Sequence, residues 1–442
     1  MQQDAYRQTA VDVALTFSRQ FVAAFFQLAI VLIVAQALGP SGTGMYAVAL
    51  LLPSIFAQLL SFGLPAANVY LVASNRAQLD DAWSASRDLM ICVAIAGLLS
   101  GWAILDLFGT LIFPDVPLGA LIVALLVFPS SLFLGITNGF FQALQDFRRY
   151  NFSVMMQPTL ALAGVLFIWL ADELTLFAII QIVCISYAIS LLFSLWLLSG
   201  QLNLLSQCAS RRTYWRSALA YGVKAHLTNL IAFLNHRLDL FLVSLLVGPA
   251  AAGLYAVAVR LVEQLWMVSK AVSTVILPRL SAMVDDEEGR RKFTPVVART
   301  VLWTTLAGSA MLAFVAEPLV ILLFENSFVN AVPVVWILLP GVVLLSCSRV
   351  LANDLAARGR VDINLALTGG ILIVNLIGNL FLIPLYGVAG AAAATTIAYA
   401  FNLLLRLAIQ NRLFGTRWTE ILIINSGDLK KLSNKFADFR TK

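Results

Sequence analysis

Residues 39–49 read Gly39-Pro40-Ser41-Gly42-Thr43-Gly44-Met45-Tyr46-Ala47-Val48-Ala49, and nearly the same phrase returns as Gly248-Pro249-Ala250-Ala251-Ala252-Gly253-Leu254-Tyr255-Ala256-Val257-Ala258. Seven of the eleven positions are identical without a gap, at a shift of 209 residues. A second echo lies almost in register: Tyr187-Ala188 with Leu191, Leu192 and Leu195 recurs as Tyr399-Ala400 with Leu403, Leu404 and Leu407, at a shift of 212. Two matches at nearly one shift mark an internal duplication. The expected organisation is an N-terminal half, residues 1–205, a C-terminal half, 206–413, and a basic tail, 414–442.

Composition says what each half is. About 60% of the 442 residues are hydrophobic and 12% charged, whereas a soluble domain carries roughly a quarter charged residues. So much apolar side chain cannot hide in one water-soluble core, which excludes a soluble enzyme and a nucleic-acid reader. Windows of about 19 residues place membrane spans near 20–38, 45–72, 89–108, 118–144, 152–171, 176–199, 219–246, 253–283, 297–323, 331–357, 362–383 and 387–411. The expected fold class is an all-α polytopic membrane protein with about 12 transmembrane helices, in two six-helix pseudo-symmetric lobes around a central cavity. Six is even, so both halves enter from one face and are related by an axis along the membrane normal. Pro53, Pro65, Pro129, Pro158, Pro278 and Pro340 fall inside spans and are expected to bend or break them.

Charge sets the orientation. Loops near 73–88, 145–151, 200–217, 284–296 and 358–361 carry Arg76, Arg87, Arg148, Arg149, Arg211, Arg212, Arg216, Arg290, Arg291, Lys292, Arg358 and Arg360. Loops near 39–44, 109–117, 172–175, 248–252, 324–330 and 384–386 contain no Lys or Arg. The positive-inside rule makes the first set cytoplasmic, together with both termini. The net charge of +6 is therefore mainly a topology signal. Residues 1–19 lack an apolar stretch followed by a cleavage site, so no signal peptide is expected to be removed. Cys92, Cys184, Cys208 and Cys347 are far apart and are assigned neither a disulfide nor a metal. His226 and His236, without carboxylate or thiol companions, make a poor metal site. No phosphate-binding loop, nucleophile elbow or His-Glu-x-x-His motif is present, so the chain is not expected to be an enzyme or to hydrolyse ATP.

Function is then sought in charged residues inside the spans, where a Lys or Arg at the bilayer centre costs about 3 kcal/mol on insertion scales. Lys224, Arg237, Arg260, Lys270 and Arg349 lie deep enough to count, and Lys224 and Arg349 are close enough to a helix end to snorkel. Arg237 and Asp239 are two apart on one helix and point away from each other. Arg260, Glu263, Met267, Lys270 and Thr274 share one helical face. At the 209 shift their mates are Leu51, Ser54, Gln58, Ser61 and Pro65, and Asn68 continues that row. Two polar stripes at equivalent places suggest an aqueous cavity; the competing reading is an interhelical hydrogen-bond seam. Cations on such a wall suit a phosphate or pyrophosphate, while Glu263 and Asp239 suit a coupling cation or proton.

Several segments together carry a resemblance: Ala37-Leu38-Gly39-Pro40 through Ala49, Arg237-Leu238-Asp239 followed by Gly248 to Ala258, Leu277-Pro278-Arg279-Leu280-Ser281, and Tyr386-Gly387-Val388-Ala389-Gly390-Ala391-Ala392. The chain resembles, over nearly its whole length, the polysaccharide transporters or Wzx-type oligosaccharide flippases of the multidrug/oligosaccharidyl-lipid/polysaccharide exporter superfamily. That resemblance implies two six-helix lobes forming a V, and alternating access that moves a polyprenyl-pyrophosphate-linked oligosaccharide to the outer leaflet without ATP hydrolysis. It implies a bacterial inner-membrane location and a role in O-antigen, capsule or exopolysaccharide assembly. Implied partners are the lipid-linked oligosaccharide, membrane lipids, and a polysaccharide polymerase with its chain-length machinery. No cofactor is expected beyond coupling to an H+ or Na+ gradient. Substrate-binding roles fall on Arg260 and Lys270 first, then Lys224, Arg237 and Arg349, more weakly on Arg19, with Gln58, Ser61 and Asn68 on the facing stripe. Twelve spans rather than fourteen argue against the peptidoglycan-precursor branch. Two alternatives stand beside this reading. A drug or cation antiporter of the same superfamily would place acidic residues in its cavity, and a membrane glycan polymerase or ligase would need a large outer loop.

Overall fold

In hydrocarbon every backbone N–H and C=O must be satisfied within the chain, so long apolar segments become helices. The computed structural model describes residues 2–207, 211–267, 269–270, 272–273, 276, 280, 283 and 286–423, with the side chains of 2–17 and 224–225 left aside. Among these residues the elements are α1 (Gln2–Leu60), α2 (Leu64–Ala73), α3 (Leu79–Ile112), α4 (Leu118–Leu125), α5 (Val127–Ala143), α6 (Phe147–Leu170), α7 (Leu176–Ser199), α8 (Arg211–Leu246) and α9 (Pro249–Glu263). They continue with α10 (Glu287–Phe324), a 3₁₀ turn (Asn326–Ala331), α11 (Val332–Ala357), α12 (Val361–Phe414) and α13 (Trp418–Leu422).

Nine of the described segments are long and apolar enough to cross a membrane. Two of them are each a pair of spans, because α1 breaks at Gly39 (φ 64°, ψ −170°) and α12 at Gly387 (φ 57°, ψ −131°). Counting each pair as two gives eleven spans among the described residues. The twelfth expected span, near 253–283, opens in α9 and runs on through residues only partly described. Both breaks need a glycine, since a Cβ disfavours positive φ.

Proline had uneven effects. Pro65 follows Gly63, whose left-handed φ of 71° separates α1 from α2, and Pro129 lies in the first turn of α5, just past the Leu126 break. Pro53, Pro158 and Pro340 lie within helices that they do not break. Pro278 is outside the described residues.

Contacts divide the chain into two compact units, Met1–Val257 with Leu323–Phe328, and Ala258–Leu322 with Val329–Lys442. In the first, Leu64, Phe128, Ile136, Phe140 and Phe141 are fully buried in one cluster, and Ile30, Val34, Val165 and Ile179 anchor another. A hydrogen-bonded seam of small polar side chains, the usual device for joining helices in lipid, links α5, α6 and α7. There Ser194 Oγ donates to Thr137 Oγ1 (2.8 Å), and Ser153 Oγ lies within hydrogen-bonding distance of Ser194 Oγ (3.0 Å) and Asn138 Oδ1 (2.8 Å).

This unit also contains the duplicated phrase in both copies. Gly39 and Gly248 both have positive φ, 64° and 117°. A Cβ on Gly44 would lie 1.7 Å from the Pro249 carbonyl oxygen, and one on Gly253 would lie 1.9 Å from that of Pro40. The two copies therefore touch backbone to backbone, each glycine against the other copy's proline, as in an isologous contact across a two-fold axis. A second close approach joins the break between α1 and α2 to α8, where a Cβ on Gly63 would sit 2.1 Å from the Gly222 carbonyl oxygen.

The second unit is held by a buried polar network. Asp354 Oδ2 accepts from Arg358 Nε (2.8 Å) and Gln410 Nε2 (3.0 Å), and its Oδ1 accepts from Thr294 (3.1 Å). Arg358 also pairs with Glu287. Arg406, 4% exposed, donates to Asn402 and Asn364. The first residues after α12 are structured: Ile421 is fully buried with Ala298, Val350 and Leu351.

Candidate functional site

The polar stripe expected on one continuous helix is interrupted. Helix α9 ends at Glu263, and residues 264–265 form a turn in which Leu265 N–H donates to Val262 and Met267 N–H to Gln264. Arg260 and Glu263, on the intact side, approach to 3.5 Å (Nη1 to Oε2). Beyond the turn, Ser269 Oγ donates to the Trp266 carbonyl (3.0 Å) and accepts from Arg349 Nη1 (3.2 Å). The Arg349 guanidinium lies 4.9 Å over the Trp266 ring, which meets Tyr399 edge-on at 6.4 Å. Glu263 and Tyr399 are within electrostatic range of Arg349.

The turn thus brings the Arg349 guanidinium within electrostatic range of Glu263, which Arg260 approaches on α9. Among the described residues Arg349 is held by a hydroxyl and a ring face rather than by a carboxylate in contact. A cation fixed by neutral partners keeps its charge for a ligand, whereas a closed ion pair does not. Lys270 lies past the same turn and is exposed. Thr274 and the side chain of Lys224 fall outside the described residues.

The remaining sequence-derived residues belong to the first unit. Asp239, 5% exposed, accepts from the Tyr255 hydroxyl and from Leu240 N–H, so its carboxylate is engaged in holding α8 to α9. Arg237, on the opposite face of α8, is half-buried and has no ion-pair partner among the described residues. Ser61 donates to the Gln58 carbonyl (3.3 Å) and lies 3.4 Å from His226 Nδ1. Asn68 is fully buried, which matches the hydrogen-bond-seam reading of its stripe rather than the open-wall one. Its Oδ1 accepts from Tyr214 (2.6 Å) and Ser86 (3.1 Å), a hydrogen-bond node of α2, α3 and α8. Its depth follows from the Gly63 break, which redirects α2 away from the line of α1. Arg19 stacks on Tyr150 at 5.0 Å, and its buried Nε and Nη1 have no acceptor among the described residues.

Sequence reasoning missed Arg406 and Asp354. Both lie close enough to a helix end to read as interfacial, yet Asp354 is fully buried and Arg406 nearly so. The sequence signal was Asn364, Asn402 and Gln410, amides spaced to receive or supply their hydrogen bonds. Among the described residues no group of three or more His, Cys, Asp or Glu side chains is placed to hold a metal.

The profile of a family described as "Polysaccharide biosynthesis protein" matches residues 33–333. The chain is 24% identical over 194 residues to the probable low-salt glycan biosynthesis flippase Agl15 of Haloferax volcanii, a match spanning 43% of this chain and 41% of that relative's length. Among solved structures, the lipid II flippase MurJ in an inward closed conformation has a TM-score of 0.75 at 16% identity, covering 89% of this chain and 87% of the other. An inward-facing multidrug resistance MATE family transporter gives 0.75 at 16%, with 89% and 94% covered. A Pyrococcus furiosus transporter of the MOP superfamily, described by the reverse polarity of its binding pocket, gives 0.62 at 15%, with 92% and 94% covered. The chain is a multi-pass membrane protein that belongs to the polysaccharide biosynthesis protein family, with a fold like those of the lipid II flippase and the MATE family transporter.

Proposed function

We propose that the protein is a flippase that moves a polyprenyl-pyrophosphate-linked oligosaccharide from the cytoplasmic to the outer leaflet by alternating access, for O-antigen, capsule or exopolysaccharide assembly. In this reading the chain works as two six-helix halves, 1–205 and 206–413, about a central cavity, in a bacterial inner membrane with both termini cytoplasmic. It is not an enzyme, and its cycle is driven by an H+ or Na+ gradient or by the substrate's own asymmetry. A polymerase and chain-length machinery consume the product.

The observation that carries the reading is Arg349. Its guanidinium is held inside the helical bundle by Ser269 and Trp266, with Glu263 within electrostatic range and Arg260 beside Glu263. That polarity suits a pyrophosphate, because an Arg fork receives phosphate oxygens in pairs. A drug or cation antiporter of the same superfamily would be expected to present acid instead, and here Asp239 is engaged by Tyr255. Arg260, Lys270, Lys224, Arg237 and Arg19 remain candidates for the same role, and Glu263 for coupling.

Proteoliposomes containing only this protein and a polyprenyl-pyrophosphate-linked oligosaccharide test the proposal. Delivery of the glycan to the opposite leaflet is expected, reduced about tenfold or more by Arg349→Ala, the size expected for losing one charged hydrogen-bonding contact. Proton-coupled efflux of a cationic dye with no glycan movement would overturn it.

A further inference from the structure

We infer that the corner between α2 and α3 is a binding site for the phosphate headgroup of a membrane amphiphile. At this corner the chain leaves α2 through a tight turn: Asn75 has φ 55°, and the N–H groups of Arg76 and Ala77 both return to the Leu71 carbonyl (2.9 and 3.1 Å). The turn opens a cleft of about 600 Å³ between itself, the start of α3 and the end of α5. Val72, Leu79 and Leu144 supply apolar wall; Asn75, Arg76 and Gln78 supply the polar lip, and among the described residues Arg76 is the only charged one lining it.

Arg76 has no carboxylate partner among the described residues and is exposed. It is nevertheless positioned, because its guanidinium lies 5.1 Å over the Tyr70 ring. Tyr70 is in turn stacked on Tyr221 of α8, with centroids 4.2 Å apart and planes 3° from parallel. A guanidinium seated by its face keeps its N–H edge available, which is the geometry for two phosphate oxygens. The cleft lies at the end of a helix in the loop class rich in Arg, where basic side chains meet anionic headgroups. Apolar wall beside a cationic lip matches the junction between a lipid's chain and its phosphate.

That chemistry has two sources, a resident anionic phospholipid or the pyrophosphate of a polyprenyl carrier. The test uses the full-length protein carrying Gln78→p-benzoylphenylalanine in nanodiscs of phosphatidylcholine, phosphatidylcholine with phosphatidylglycerol, or phosphatidylcholine with undecaprenyl pyrophosphate. After irradiation, intact mass reports the lipid adduct. An adduct with phosphatidylglycerol assigns the site to the resident lipid; one with undecaprenyl pyrophosphate alone assigns it to the carrier. In either case Arg76→Gln should lower the yield about tenfold or more. Tyr70→Ala should lower it and Tyr70→Phe should not, since the ring face alone seats the cation. In the unsubstituted Arg76 background, inorganic pyrophosphate should compete the adduct away. Equal yields with neutral and anionic lipid, or no loss on Arg76→Gln with no competition by pyrophosphate, would overturn the inference. Because binding is read without transport, a failure to flip oligosaccharide leaves this result interpretable.

Discussion

A single methyl group at Gly44 probes the contact between the two copies of the duplicated phrase. The Cβ of Gly44→Ala would stand 1.7 Å from the Pro249 carbonyl oxygen, 2.6 Å from its carbon and 2.8 Å from Gly253 N. Cβ is fixed by the backbone, so no rotamer relieves the clash, and the facing atoms are backbone too. The segments must part by about 1.5 Å to restore ordinary contact distances. Overpacking of this kind costs about 1–3 kcal/mol, against which Ala gains about 1 kcal/mol in helix propensity. Gly369→Ala supplies the contrast: no described residue lies within 4 Å of its added Cβ, so only the propensity gain of about 1 kcal/mol remains. Tryptophan-fluorescence melting of detergent-purified protein should move in opposite directions for the two variants. Gly253→Ala should resemble Gly44→Ala, and the double variant should cost less than the two single costs together. Once one methyl has parted the segments, the second meets an opened contact, a coupling of about 0.5–3 kcal/mol. Strict additivity, or a Gly44→Ala melting point equal to the wild-type value, would refute the reciprocal contact.

Other outcomes follow from the buried polar groups. Asp354→Ala removes the acceptor of Arg358, Gln410 and Thr294 and should destabilise by about 3–5 kcal/mol, as expected when a buried ion pair loses one member; equilibrium unfolding measures it. Tyr255→Phe takes the hydroxyl from the Asp239 carboxylate, at a cost of about 1–3 kcal/mol. Asp239→Asn in that background should recover part of the loss, and no recovery would mean that the carboxylate is solvated. At the exposed start of α10, the Lys292 hydrogen bond and charge hold the Glu288 carboxyl below its ordinary range. A lowered acid contributes stability above its unfolded value, lost as pH falls through the lowered one. Full exposure screens this contribution, so Lys292→Ala should leave the melting point unchanged from neutral to mildly acid pH while Glu288 titrates higher.

The architecture was legible because its signals are collective. Apolar runs long enough to cross a bilayer, separated by loops sorted by Arg content, survive any local error. The Gly-Pro phrase marked both positive-φ turns, Gly39 and Gly248, because glycine there answers to backbone geometry. The site was less legible, since its residues meet through bends that periodicity does not show. The turn at 264–265 brings Trp266 and Ser269 to Arg349 some 80 residues away in sequence, where a straight helix would have aligned Arg260 with Lys270. The Gly63 break likewise carries Asn68 into a buried node with Tyr214. Arg406 and Asp354 escaped notice because distance from a helix end is a poor measure of burial when neighbouring helices supply amide partners.

The short helix α13 has a consequence for how its sequence can change. Three donors along one side of α10 hold the segment: Arg291 to the Gly415 carbonyl, Arg299 to that of Glu420, and Trp303 to that of Leu422 (2.9, 2.7 and 2.9 Å). Every acceptor is main chain, which any residue provides. Apart from Gly415, whose φ of 65° favours glycine, buried Thr416, and Ile421 and Leu422, which pack in the core, the strap is recognised by spacing rather than by identity. Substitutions between 417 and 420 should drift freely, while insertion or deletion of one residue would throw all three donors out of register at once.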